Sequence, residues 1–217
     1  MTKAKPILFS TELTPLLTPN GPKTQTRRVI KPTKWWPGCY ALDRLDEQRH
    51  DEGFQEYLAI FAPYQPGDIC WVQEAWKCVG TFGAFGYEVE FKDGERVRFE
   101  FEDFGRAVTW AKYEHKPGWQ SPYFMPREAA RKHVRVIAVR AERVQDITPE
   151  DAQAEGITWE AGVKWLCVLD TPRTNAYVSL FADLWERLNA PRGHGWDMND
   201  WVWAYTFEGA EALQNEK

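Results

Sequence analysis

Gly21-Pro22-Lys23-Thr24-Gln25-Thr26-Arg27-Arg28 follows the turn-forming run Pro19-Asn20-Gly21-Pro22 and leads into the strand-like Arg28-Val29-Ile30. Lys23 and Thr26 therefore stand on a connection that leaves a packed element, where functional side chains concentrate. Upstream, Pro6 to Phe9 is a short apolar strand. Leu13, Leu16 and Leu17 have the spacing of a one-sided helical turn over residues 11 to 17.

Downstream, residues 33 to 62 have poor periodicity and read as an irregular insertion with one short helix. Pro66-Gly67-Asp68 is a turn in which Asp68 makes a structural hydrogen bond, and Ile69 to Trp76 behind it has the aromatic and β-branched character of a strand. Alternation on either side of Asp93-Gly94 predicts a hairpin from Tyr87-Glu-Val-Glu-Phe91 and Arg96-Val-Arg-Phe-Glu-Phe101. Trp119 to Arg127 is irregular and aromatic. A helical turn over residues 128 to 132 would bring Arg127 and Arg131 together, and a strand from Val134 to Val144 follows. The clearest short helix lies at residues 146 to 156, with Thr148 as N-cap, Pro149 in the first turn, early acids and Gly156 as the stop. Val178, Phe181, Leu184, Trp185 and Leu188 mark an amphipathic helix over residues 175 to 189, and Trp201 to Phe207 reads as a closing strand. Many strands and few helices, without βαβ alternation, predict an α+β barrel.

The 217 residues contain no linker-like interior stretch, so a single domain over residues 1 to 208 is expected, with insertions near 33–62 and 78–122 and a frayed tail at 209–217. Neither a signal peptide nor an apolar run of the ~18 residues needed for a membrane span is present, which predicts a cytoplasmic protein away from membranes. Cys39, Cys70, Cys78 and Cys167 form no CxxC pair, and the four histidines are isolated from one another, so reduced thiols and no metal are expected. A net charge of −5 argues against coating duplex nucleic acid. Basic residues are nonetheless concentrated locally, seven in the first 40 against Glu12 alone and more between Arg127 and Arg143. Most of the twelve tryptophans must pack in a core or line a cavity.

Three landmarks carry a family resemblance. Residues 21 to 28 resemble the GxKxxTxR signature of ASCH domains, Pro66-Gly67-Asp68 with its strand resembles the second landmark, and Ile147 to Gly156 is similar to the acidic short helix ending in Glu-Gly. The Met125-Pro126-Arg127 stretch resembles longer phage and bacterial members. The resemblance implies a PUA-like mixed β-barrel with flanking helices and an inserted hairpin, whose groove accepts RNA or a nucleobase. Some small members are amidohydrolases that cleave N4-acylated cytosine nucleosides such as N4-acetylcytidine with a lysine, a threonine and a glutamate. By motif these are Lys23, Thr26 and Glu155, acting without cofactor.

Amide hydrolysis needs a nucleophile, a proton donor for the leaving amine and a group that holds the oxyanion. Lys23 serves either as covalent nucleophile or as the base that activates water, and the sequence leaves both open. The resemblance favours the nucleophile. Glu155, at a helix C-terminus, sits in negative potential that favours a carboxyl able to hold and deliver a proton. Thr26 relays a proton or orients the lysine. Arg28 is a candidate for the base carbonyl or a phosphate, Arg127 for the ligand, and Trp76, Tyr123 and Trp119 for stacking on the pyrimidine. Glu74 is the rival carboxylate. The other readings are a non-catalytic module that binds RNA or a modified base and, last, a ribonuclease, which lacks a marking histidine pair.

Overall fold

The computed structural model describes residues 4–9, 14–17, 21–31, 52–158 and 173–210. Its elements in chain order are β1 (Lys5–Leu8), β2 (Gln25–Val29), α1 (Glu52–Ala59), β3 (Ile69–Gln73), β4 (Trp76–Phe82), β5 (Gly86–Phe91), β6 (Arg96–Glu100), α2 (Phe104–Trp110), β7 (His133–Arg143), α3 (Pro149–Ala154), α4 (Arg173–Asn189) and β8 (Trp201–Ala210), with short 3-10 turns between them. The architecture is α+β, with parallel and antiparallel pairing and few helices. Among the described residues the strands close into no barrel. No described helix is long and apolar enough to cross a membrane.

The chain divides into two compact units, each built from separate segments. The first comprises residues 1–17, 69–134 and 209–217. There β1 pairs in parallel with β3, and β4, β5 and β6 form an antiparallel meander. The predicted hairpin is present, with Gly94 at φ 86° closing its loop, a backbone conformation that suits glycine. Tyr87, Val89, Phe91 and Phe99 face inward, while Glu88 opposite Arg98 and Glu90 opposite Arg96 form ion pairs on the outer face. The single strand expected over residues 69 to 76 is two strands, broken at Glu74 and Ala75, and the second of them starts the meander.

Aromatic rings dominate the core of this unit. Trp76 is fully buried, stacked on Trp110 with centroids 4.7 Å apart, and meets Tyr113 edge-on at 5.1 Å. Trp71, Tyr87, Phe91, Phe99 and Phe101 are the other aromatic members of the cluster. Trp110 is delivered by α2, which the sequence reading missed and which is capped by Asp103 accepting from the Arg106 amide at 2.8 Å. The helical turn expected to join Arg127 and Arg131 is only the 3-10 turn Arg127–Ala129, and Arg131 lies beyond it, before β7.

The second unit comprises residues 18–68 and 135–208. Its strands lie in the order β7-β8-β2, with β2 antiparallel to β8. From Trp201 to Tyr205 every residue of β8 is buried, which marks a strand covered on both faces. α3 forms where its caps predict, with the Thr148 hydroxyl accepting from the Asp151 amide at 3.1 Å and Gly156 at φ 97° ending the turn. Phe181 and Trp185 of α4 pack with Val144, Ile147, Ala152 of α3 and Val202. The Pro66-Gly67-Asp68 turn has Gly67 at φ 90° and Asp68 Oδ2 accepting from the Gln65 amide at 2.7 Å, the structural role expected of that aspartate. The expectations for residues 33 to 51 and for the 211–217 part of the tail fall outside the described residues, whereas Glu208 to Ala210 still belong to β8.

Candidate functional site

Two backbone hydrogen bonds fix the approach to β2 within the second unit. The Thr24 amide donates to the Ala154 carbonyl at 2.7 Å, and the Phe207 amide donates to the Thr24 carbonyl at 2.8 Å. The segment carrying Lys23 is thereby tied to the C-terminal end of α3 and to β8. Its side chain turns inward with no exposed surface. Lys23 Nζ lies 2.9 Å from Glu155 Oε2, 2.8 Å from the Glu155 carbonyl and 2.9 Å from the Gln25 carbonyl. Residues 132 positions apart, one ahead of a strand and one capping a helix, thus meet as a buried ion pair.

Burial holds the Lys23 ammonium below its ordinary pKa of 10.5. The Glu155 carboxylate opposes that shift, and the charges of Arg28 and Arg27 reinforce it. A lysine so placed exchanges protons more readily than one in water, and its carboxylate partner is within hydrogen-bond reach.

Alternation along β2 decides what else the site contains. Gln25 and Arg27 share one face. Arg27 has no exposed side-chain surface and contacts three carboxylates, with Nε 2.6 Å from Glu142 Oε1, one terminal nitrogen 2.9 Å from Asp151 Oδ2 and the other 3.2 Å from Glu155 Oε1. Arg140 bridges the first two of these acids from β7, at 2.6 Å from Glu142 Oε2 and 2.5 Å from Asp151 Oδ2. Gln25 Nε2 donates to Asp151 Oδ1 at 2.8 Å. Three cations, Lys23, Arg27 and Arg140, thus face three carboxylates, Glu142, Asp151 and Glu155.

Thr26 and Arg28 occupy the other face of β2, in register with Tyr205 and Trp203. The Arg28 guanidinium lies 6.0 Å from the centroid of the Tyr64 ring, which meets Tyr205 edge-on at 5.3 Å. The structure therefore joins Lys23 to Glu155 directly and sets Thr26 on the strand face opposite Arg27. The signal for Asp151 and for Arg27 was present in the early acids of α3 and in the alternation Gln25-x-Arg27. Glu142 and Arg140 on β7 carried no such signal.

The remaining predicted residues belong to the first unit. Trp76 is a correction: with no exposed surface it packs the aromatic core and offers no ring to a ligand. Tyr123 is 75% exposed and lies edge-on to Phe124. Trp119 is partly exposed, with Lys92 Nζ 4.0 Å from its ring centroid. Arg127 is exposed, and after burial its charge is the second cause that holds the His133 imidazole below its ordinary pKa. Both oxygens of the rival Glu74 are engaged by Arg131, at 2.7 and 2.8 Å, so this carboxylate already has a bidentate partner. Comparisons with family models, with curated proteins and with solved structures find no match.

Proposed function

We propose that the chain is an ASCH-type, PUA-like amidohydrolase that removes the N4-acyl group of acylated cytosine nucleosides. The observation that supports it most is the buried contact of Lys23 Nζ with Glu155 Oε2 at 2.9 Å. It joins two of the three residues that the resemblance assigns to catalysis.

Chemistry favours Lys23 as base over Lys23 as nucleophile. Attack of an amine on an amide yields another amide, so a covalent acyl-lysine would be as hard to hydrolyse as the substrate. In the water-activating route the resting ammonium first passes a proton to Glu155 Oε2, giving a neutral amine beside a carboxylic acid. The amine takes a proton from water as the water oxygen bonds to the acyl carbon. Glu155 then protonates N4 as the C–N4 bond breaks, releasing cytidine and a carboxylic acid that ionises in solution. The enzyme is left as ammonium and carboxylate, its starting state. No step in this route passes through Thr26. Arg28 is the proposed contact for the base carbonyl or a phosphate.

The test is incubation of the purified chain with N4-acetylcytidine and longer acyl homologues, following cytidine and carboxylate together. Turnover that survives chelation and collapses in Lys23→Met is the expected result. No product across the series refutes the proposal. One observation favours a second reading, binding of a modified base or RNA without hydrolysis: among the described residues three acceptors meet the Lys23 ammonium, an arrangement that suits a fixed donor. Saturable binding of N4-acetylcytidine without turnover would select it.

A further inference from the structure

We propose that Arg27 is the positioning residue of this site: its guanidinium holds Glu155 Oε1, so that Oε2 alone exchanges a proton with Lys23. The inference rests on the reading of Lys23 and Glu155 as the reacting pair. The residue lies inside the signature segment, at a position that the motif leaves unspecified.

The argument is geometric. A guanidinium is planar, and its three nitrogens point in fixed directions. Glu142 takes Nε at 2.6 Å and Asp151 takes one terminal nitrogen at 2.9 Å. Arg140 bridges the same two acids from the other side, which closes a ring of two arginines and two carboxylates. With two nitrogens held, the third is aimed by the plane of the group, and it meets Glu155 Oε1 at 3.2 Å and Gln25 Oε1 at 3.4 Å. Glu155 then has its oxygens divided, one to a cation that never gives up its proton and one to a lysine that can. Carboxylate rotation would exchange the two oxygens, and the Arg27 contact opposes it.

Among the described residues, the charged groups that act on Lys23 are Glu155 from the end of α3 and Arg27 and Arg28 from β2. Asp151, Glu142 and Arg140 lie one contact further out. Among the described contacts, α4 brings Phe181 to Arg27, with its uncharged ring centroid 5.8 Å from the guanidinium carbon. Sharing Glu155 with Arg27 weakens the hold of the carboxylate on the lysine proton, and the Arg27 charge repels that proton as well. Both effects loosen the proton on Lys23, and the fixed Oε2 is the oxygen placed to receive it.

The experiment compares wild type with Arg27→Lys, which keeps the charge and loses the fork, and Arg27→Met. Folding is checked by circular dichroism and thermal melting, and two readouts follow. The first is the pH profile of kcat and KM on N4-acetylcytidine. Arg27→Lys is expected to lower kcat about 10²-fold, the scale of a small misplacement of a reacting group, with KM little changed. Its alkaline limb is expected to move to higher pH, because an undivided Glu155 favours the ammonium with which the route starts. The second readout is the Lys23 13Cε resonance against pH, whose midpoint is expected to rise in both variants and does not depend on turnover.

An unchanged midpoint and an unchanged alkaline limb in folded Arg27→Lys would overturn the assignment. Absence of turnover in the wild type would overturn the hydrolase reading, and the resonance titration would still decide the role of Arg27. Should neither variant fold, the wild type itself carries the test. Separate, slowly exchanging guanidinium resonances for Arg27 support the locked fork, and a freely rotating group refutes it.

Discussion

Glu155→Gln removes one charge from the buried pair and leaves a side chain of nearly the same shape, so its cost can be worked from the site. Lys23 would then be a fully buried cation without its carboxylate. Keeping the charge would cost several kcal/mol, so the ceiling on the penalty is set by release of the proton. From an ordinary value of 10.5, that release costs about 5 kcal/mol at pH 7, at ~1.36 kcal/mol per pH unit. The carbonyls of Gln25 and residue 155 remain as acceptors and recover part of it. The expected loss is therefore ~3–4 kcal/mol at pH 7, within the range for breaking a buried pair. The sign of its pH dependence follows from linkage. The folded variant holds Lys23 neutral while the unfolded chain binds the proton, so the variant gains stability as pH rises toward 10.5. In the wild type the folded value is also lowered, and its own gain begins at higher pH because Glu155 still favours the ammonium. Urea unfolding at pH 7, 8 and 9 of wild type, Glu155→Gln, Lys23→Met and the double variant gives the stabilities and the coupling, expected at ~2–3 kcal/mol. A loss under about 1 kcal/mol at pH 7, or a penalty that does not shrink with pH, would refute the reasoning.

In assays with N4-acetylcytidine, Glu155→Gln is expected to lower kcat about 10²–10⁴-fold, the range for losing a general acid or base, and Thr26→Val to stay within about tenfold. A larger effect of Thr26→Val would restore the hydroxyl to the mechanism. Thr148→Ala removes the cap of the helix that presents Asp151 and Glu155 and is expected to cost about 1 kcal/mol in urea unfolding. Trp76→Ala opens the aromatic core and is expected to cost ~3–5 kcal/mol, while at a temperature where it remains folded the KM is unchanged; a raised KM would return Trp76 to the ligand.

Legibility of the fold followed the range of the interactions. The hairpin at Asp93-Gly94 and the helix that starts at Thr148 were readable because turn and cap chemistry act over a few neighbouring residues. The break of the β3–β4 segment at Glu74 was not. It depends on the Glu74 carboxylate finding Arg131, 57 positions away, and on Trp76 finding Trp110. Helix α2 was hidden for a related reason: its outward residues include Phe104 and Val108, both more than half exposed, so the apolar pattern did not mark one face. At the candidate site, motif spacing singled out Lys23 and Glu155, whose side chains meet in the structure. The alternation that sends Gln25 and Arg27 to one face of β2 and Thr26 and Arg28 to the other could be used only once the strand was known to begin at Gln25.

The cost of this arrangement bears on its purpose. Three cations and three carboxylates, all but Arg140 at low exposure, are an expensive way to hold a strand against a helix, since apolar residues of similar volume often do so at equal or greater stability. Arg27, Arg140, Glu142 and Asp151 alone would balance charge and join β2, β7 and α3. Lys23 and Glu155 add a second balanced pair that the ring does not need for neutrality. That pair is also the one whose cation is shifted toward releasing its proton. A purely structural pair would be stabler with an arginine, whose charge survives burial. For the proposed reaction, a lysine in that place, next to a carboxylate with one oxygen already held, is the choice that proton transfer requires.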